Sequence, residues 1–233
     1  MHSARFTVFL TLATLMNFST ANCQQLVAQQ AAVRYAALGD LRVEASEPAG
    51  KLPKLSISEA LSGRQAFSTN VGTSYPEYYV IRPDNGGSRA ILRFAIVDGP
   101  RPQSPLILAI AMSPGGSDCK YEAVVVGERR GRVALLTSSP VDTLAEGGIY
   151  VGDLGSGRSF GLVVWNFIWG ADESHVDKHR YEVTLYRYDP TGSRFRLASK
   201  LTSKGKHELP QDALAELGLH YRNLLSDFPD FGC

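Results

Sequence analysis

The densest set of groups able to do chemistry is Asp172-Glu173-Ser174-His175-Val176-Asp177-Lys178-His179. In an extended chain His175, Asp177 and His179 point to one side at a spacing of two, and in a helix His175 and His179 share a face at i and i+4. Two imidazoles and a carboxylate make a zinc half-site or a general acid/base group. The same eight residues are strongly polar and lie between two apolar runs, which is also the composition of a solvated loop. A second pattern, Gly157-Arg158-Ser159-Phe160-Gly161, satisfies Gly-x-Ser-x-Gly, followed by Asp172 or Asp177 and then His179 or His207 in the chain order of a serine hydrolase. That nucleophile elbow needs a helix directly after it, whereas residues 162–169 are a β-branched and aromatic run that favours a strand. Ser117-Asp118-Cys119-Lys120 fits Ser-x-x-Lys, but it sits in a Gly-rich turn with no Lys-Thr-Gly partner downstream. No catalytic residue is therefore assigned. A hydrolase using Ser159, or a metal at His175 and His179, stands as the alternative to a binding role.

Aromatic side chains offer a different chemistry. Tyr75-Pro76-Glu77-Tyr78-Tyr79 can present rings to a sugar or a peptide, and Trp165 and Trp169 either pack in a core or line a pocket beside Asn166. Asn166 is the one polar residue in the run 162–169, so its amide must be hydrogen-bonded, to backbone, to buried water or to a ligand. Asn166, His175, Asp177 and His179 are the candidate binding residues. No Walker loop, dinucleotide fingerprint or paired Cys-x-x-Cys motif occurs, so no cofactor is implied. A net charge of +1 with no basic stripe in the sequence argues against nucleic acid and anionic membrane as partners. What remains is a protein or carbohydrate ligand of unknown identity.

The elements that must position these groups are strands. Apolar runs at 78–82, 90–97, 106–112, 121–126, 132–136, 149–154, 162–169, 181–188 and 195–201 alternate with turn residues. Gly127-Glu128-Arg129-Arg130-Gly131 reads as a hairpin loop, and Asp189-Pro190-Thr191-Gly192 as a type I turn with Asp at i, Pro at i+1 and Gly at i+3. Connections this short leave no room for helical crossovers, so sequential strands pair antiparallel. In 195–201, Phe195, Leu197 and Leu201 alternate with Arg194, Arg196 and Lys200, giving one packed face and one basic face that protects an edge. Residues 162–169 are apolar on both faces and predict a covered strand. Pro210 at a first turn and Gly218 past the end predict one short C-terminal helix over 210–217. The expected fold is all-β and mainly antiparallel, a meander of blade-like or sandwich-like sheets, with residues 22–62 an arm and first strand and 63–233 the β-rich domain.

Gly152-Asp153-Leu154-Gly155-Ser156-Gly157, followed by Gly161-Leu162-Val163-Val164, resembles the blade repeat of integrin-like β-propellers of the FG-GAP or VCBS type. The resemblance covers residues 148–204, about one blade. It implies four antiparallel strands around an Asp-rich loop, and a binding or scaffold role more readily than catalysis. Asp153 matches the first acidic position of the family's calcium loop, but Gly155, Gly157 and Gly161 stand where that family carries oxygen ligands, so calcium is not expected here.

The N-terminus predicts export. Arg5, an apolar run over 6–18, and small residues at Ser19 and Ala21 form a secretory leader of residues 1–21. The apolar run is too short to span roughly 30 Å of hydrocarbon, and no other stretch is long enough for a transmembrane helix. Cys23 admits lipid anchoring, although Thr20-Ala21-Asn22 lacks the preferred preceding residues. Three cysteines, Cys23, Cys119 and Cys233, enter a compartment that permits disulfides. Cys119 with Cys233 is the pair compatible with either processing route.

Overall fold

The computed structural model describes residues 33–48, 50–80, 90–101, 103–113, 119–144, 146–155, 159–174 and 176–228. The leader, Cys23, His175 and Cys233 lie outside them. Of the described residues about 51% are strand and 9% helix, so the fold is all-β, as the short turn-bounded runs predict.

Three antiparallel sheets stack in layers. The first is β1 (Val33–Leu38), β2 (Leu41–Ser46), β3 (Lys54–Glu59) and β4 (Gln65–Asn70), paired in chain order. The second, central sheet is β5 (Ile91–Val97), β6 (Leu106–Met112), β7 (Lys120–Arg129) and β8 (Arg132–Leu135), with β9 (Val141–Leu144) also paired to β7. The third is β10 (Gly148–Asp153), β11 (Phe160–Ile168), β12 (Arg180–Asp189) and β13 (Arg194–Thr202), again in chain order.

The central position of the second sheet follows from its side chains. All seven residues of β6 are buried. Leu106, Leu108, Ile110 and Met112 face a core shared with Ile149, Val151, Leu162 and Val164 of the third sheet. Ile107, Ala109 and Ala111 face the opposite core, shared with Val43, Leu55 and Ile57 of the first. A period of two with apolar residues on both faces is what a sheet covered on both sides requires. The third sheet is covered in turn on its outer face. Val163, Trp165 and Phe167 pack there with Ala213 and Leu214 of the helix α2 (Pro210–Glu216), the C-terminal helix expected from Pro210 and Gly218. Among the described residues no helix is long and apolar enough to cross a membrane.

Three expectations change. Residues 78–82 do not form a strand in their described part: α1 (Pro76–Tyr79) is a single helical turn opened by Pro76, whose fixed φ suits a first helical position. Residues 22–62, read as an arm and first strand, hold three strands in their described part, β1, β2 and β3, and the apolar face of β2 and β3 covers the central sheet. In β13, Phe195 is buried but Leu197 is 58% exposed. The β12–β13 register shifts between Leu185 and Tyr186, where Ser199 and Leu197 are the successive partners, so Ala198 is an extra residue. One extra residue moves side chains beyond it to the other face, and Leu201 accordingly joins the α2 side while Phe195 joins the inner core.

Candidate functional site

Glu122 lies in β7 between Tyr121 and Ala123, which face the inner core, and its carboxylate points to the opposite face with Val124 and Val126. It is 0% exposed, and a carboxylate so placed must be surrounded by donors. Three consecutive backbone N–H groups supply them. Gly72 N and Thr73 N, the latter at 2.8 Å, donate to Oε1, and Ser74 N donates to Oε2 at 2.6 Å. Gly72 is required twice over, since its φ is +88° and a Cβ there would stand 2.7 Å from Tyr79 Cβ.

The loop that Glu122 holds leads directly into α1. Tyr79 turns inward and is 1% exposed, whereas Tyr75 and Tyr78 are 43% and 45% exposed. Their rings meet edge to face at 6.2 Å. Lys120 Nζ sits 4.5 Å from the Tyr75 centroid and 3.9 Å from that of Tyr78, a cation–π geometry that fixes both rings relative to β7. The two exposed aromatics are thereby fastened from below by a buried carboxylate and from the side by an ammonium.

Asp142 completes the group. In the β7–β9 register it stands directly opposite Glu122, and cross-strand partners have Cβ atoms roughly 5 Å apart. Burial, and next the Glu122 charge, push its carboxyl up to about 6, against a Ser74 side-chain hydrogen bond and the Lys120 charge, which pull it down. Burial, followed by the Glu122 and Asp142 charges, raises Tyr79 well above the ordinary phenol range.

Asn166 joins this site from β11. Its Nδ2 donates to Asp142 O at 3.1 Å, and its Oδ1 accepts from Leu144 N at 2.8 Å with Thr143 Oγ1 at 2.7 Å. The amide thus ties β9 of the central sheet to β11 of the third and sets the backbone of Asp142. The remaining candidates lie apart. Asp177 closes its own turn, accepting from Ser174 N at 2.6 Å and Ser174 Oγ at 2.8 Å, and these bonds hold it below the usual carboxylate range. His179 is buried beside β12 and exchanges two backbone hydrogen bonds with His207, at 3.0 and 2.7 Å. Its Nδ1 lies 2.8 Å from Glu173 Oε2, and its ring packs on Phe167 and Trp169 at 4.7 and 5.4 Å. Glu173 is lowered to about 2 by Lys206 first, then by His179 and the Gly170 N–H. Trp165 is core, and Trp169 is 43% exposed. Ser159 offers its carbonyl to Leu154 N at 2.8 Å and is followed at once by β11, so no strand–turn–helix forms around it.

Glu122 and Asp142 were not singled out by residue type and spacing. The sequence does carry one signal for Glu122: a lone carboxylate inside the otherwise apolar run Tyr121–Val126, which in a covered strand demands a partner. Asp142 becomes visible only through the strand register.

Comparison of the chain with protein-family models, with curated proteins and with solved structures finds no match.

Proposed function

We propose that this chain is an exported, non-catalytic binding module that takes a saccharide on the Tyr75–Tyr78 platform. The observation that carries the reading is a fully buried carboxylate, Glu122, devoted to holding a short loop whose exposed large side chains are two tyrosines. Tyrosine supplies rigid, amphipathic contact area at low conformational cost, and sugar rings present apolar C–H faces that stack on it. Hydroxyl groups at the edge of a stacked sugar find Asp142, Ser74 and Lys120 as acceptors and donors. Isothermal titration of the mature protein with a panel of oligosaccharides tests this. Saturable binding that the Tyr75→Ala/Tyr78→Ala double variant loses by tenfold or more supports the platform. Equal binding by parent and double variant, or none to any saccharide, refutes it.

Export rests on the leader at residues 1–21, and an N-terminus beginning at Asn22 in the secreted protein is the expected result. The same compartment permits a Cys119–Cys233 disulfide. Cys119 is buried in the inner core together with Leu224, Leu225 and Phe228, and the five residues from Phe228 to Cys233 reach at most roughly 17 Å. Non-reducing peptide mapping should recover that cross-linked pair. A Cys23–Cys119 peptide would overturn the assignment. Strands β10–β13 form a four-stranded meander, and the layered stacking of three sheets favours a sandwich-like arrangement.

A further inference from the structure

At the far end of β7 from the tyrosines, two hairpin tips meet. The β7–β8 turn is Arg130-Gly131, and the β12–β13 turn covers residues 190–193. Between them lies a cavity of about 220 Å³ whose polar lining is Arg101, Ser104, Glu128, Arg130, Thr191 and Ser193. Arg101 Nη2 donates to Pro190 O at 3.2 Å, which secures one tip to the wall of the cavity. Through Ser104 and Glu128 the cavity adjoins a larger groove of about 960 Å³, along which Gln65, Gln103, Arg64 and Arg132 are placed.

We infer that the smaller cavity binds the phosphate or sulfate group of a monoester, with Arg101 and Arg130 as its anchors and the polyhydroxylated remainder of the ligand lying toward the groove. A guanidinium presents a planar fork of donors that matches these oxyanions, and the hydroxyls of Ser104, Thr191 and Ser193 add neutral donors. Among the described residues neither Arg101 nor Arg130 forms an ion pair with a carboxylate. Glu128, the one acid of the lining, is shared with the groove, where it accepts from ligand hydroxyls. The backbone supplies an independent observation. Among the described residues three non-glycine residues have positive φ, namely Gln103 at 62°, Arg130 at 53° and Ser193 at 46°, and all three line these two cavities. Arg130 and Gly131, at 53° and 74°, both adopt the left-handed conformation of a type I′ turn, whose first position favours Asn, Asp or Gly. Arginine there is a poor choice for the turn and a good one for an anion. The net charge of +1 conceals this local balance, because Arg101 and Arg130 are far apart in sequence and are joined only by the fold.

The turn preference makes the test clean. Titration calorimetry at low ionic strength would use inorganic phosphate, glucose 6-phosphate and glucose, alongside flotation with phosphatidic acid vesicles. Arg130→Gly removes the guanidinium while improving the turn, so its melting temperature should be no lower than the parent's. We expect one saturable phosphate site, tighter for glucose 6-phosphate than for phosphate, and weakened tenfold or more in Arg130→Gly and in Arg101→Gln. Vesicle binding without binding of the free ester would assign the same group to a lipid headgroup. Tyr75→Ala/Tyr78→Ala should leave phosphate binding unchanged, which separates this site from the tyrosine platform. Undiminished binding in Arg130→Gly, equal affinity for phosphate and its sugar ester, or no phosphate or vesicle binding in the parent would overturn the inference.

Discussion

Replacing Glu122 by glutamine keeps the side chain's shape and removes its charge. A hydrogen bond to a charged acceptor contributes about 1.5–3 kcal/mol and a neutral one about 0.5–1.5 kcal/mol. The amide oxygen can retain the Gly72 and Thr73 donors at neutral strength, losing about 1 kcal/mol on each. The amide nitrogen then faces Ser74 N–H donor to donor, and a buried N–H left unsatisfied costs about 1–3 kcal/mol. Glu122→Gln should therefore destabilise the fold by about 3–5 kcal/mol, offset slightly by relief of repulsion with Asp142. Urea unfolding followed by tryptophan fluorescence measures this, with a lower midpoint and an unchanged slope. At about 2–4 °C per kcal/mol for a chain of this size, the melting temperature falls by roughly 6–20 °C. A second readout guards against a merely nonspecific loss. The Asp142 carboxyl, followed by NMR titration, should drop below about 6 in the variant yet stay above the ordinary aspartate value, because burial is the larger cause and the Glu122 charge the smaller. A loss under about 1 kcal/mol, or an Asp142 titration identical to the parent's, would refute the view that Glu122 is an ionised anchor for the tyrosine loop.

Gly72→Ala should cost about 2–5 kcal/mol, combining the left-handed backbone with overlap on Tyr79, while Gly63→Ala, at φ +68° with open space around it, should cost only the backbone part, about 1–2 kcal/mol; equal losses in the two would remove the steric argument. Acid should act through Glu173 and Glu216, both held near 2, the first mainly by Lys206 and the second mainly by the Lys204 N–H. Their depressed values mean that their contribution is complete above about pH 4.5 and is lost as pH falls toward 2. A Glu173→Gln/Glu216→Gln variant should show a flatter stability profile across that window. Asp142 acts with the opposite sign, since its raised value makes ionisation between about pH 4 and 6 unfavourable to the fold, and Asp142→Asn should remove that slope.

Strands β5 to β7 and β10 to β13 are legible because each contains an apolar run that only a covered or half-covered strand explains. The first sheet is harder to see. Leu55 and Ile57 alternate with Ser56 and Ser58 in the period of a strand, but two apolar residues barely rise above background, and β4 holds only Phe67 and Ala66 among polar neighbours. Tyr78 and Tyr79 carry strand propensity, and the helical turn they occupy is decided by Pro76 and by the inward packing of Tyr79. The platform was half visible: its tyrosines stand together in sequence, while Glu122 and Asp142 meet only through a β7–β9 register that local pattern does not encode. Arg101, Arg130 and Ser193 lie on three separate turns, and nothing in their spacing brings them together.

The burial of β6 on both faces has a consequence for how the chain can be built. A strand with no solvent face has no half-formed state that water tolerates. Until the first and third sheets have both closed over it, Leu106–Met112 is an apolar, uncharged ribbon of high strand propensity, the kind of segment that pairs with copies of itself. The three layers must therefore assemble as one cooperative unit, and cutting the chain after β4 would expose Ile107, Ala109 and Ala111 rather than release an independent domain. Any truncation meant to isolate either proposed ligand site should be expected to aggregate, which makes point substitution in the full chain the way to dissect them.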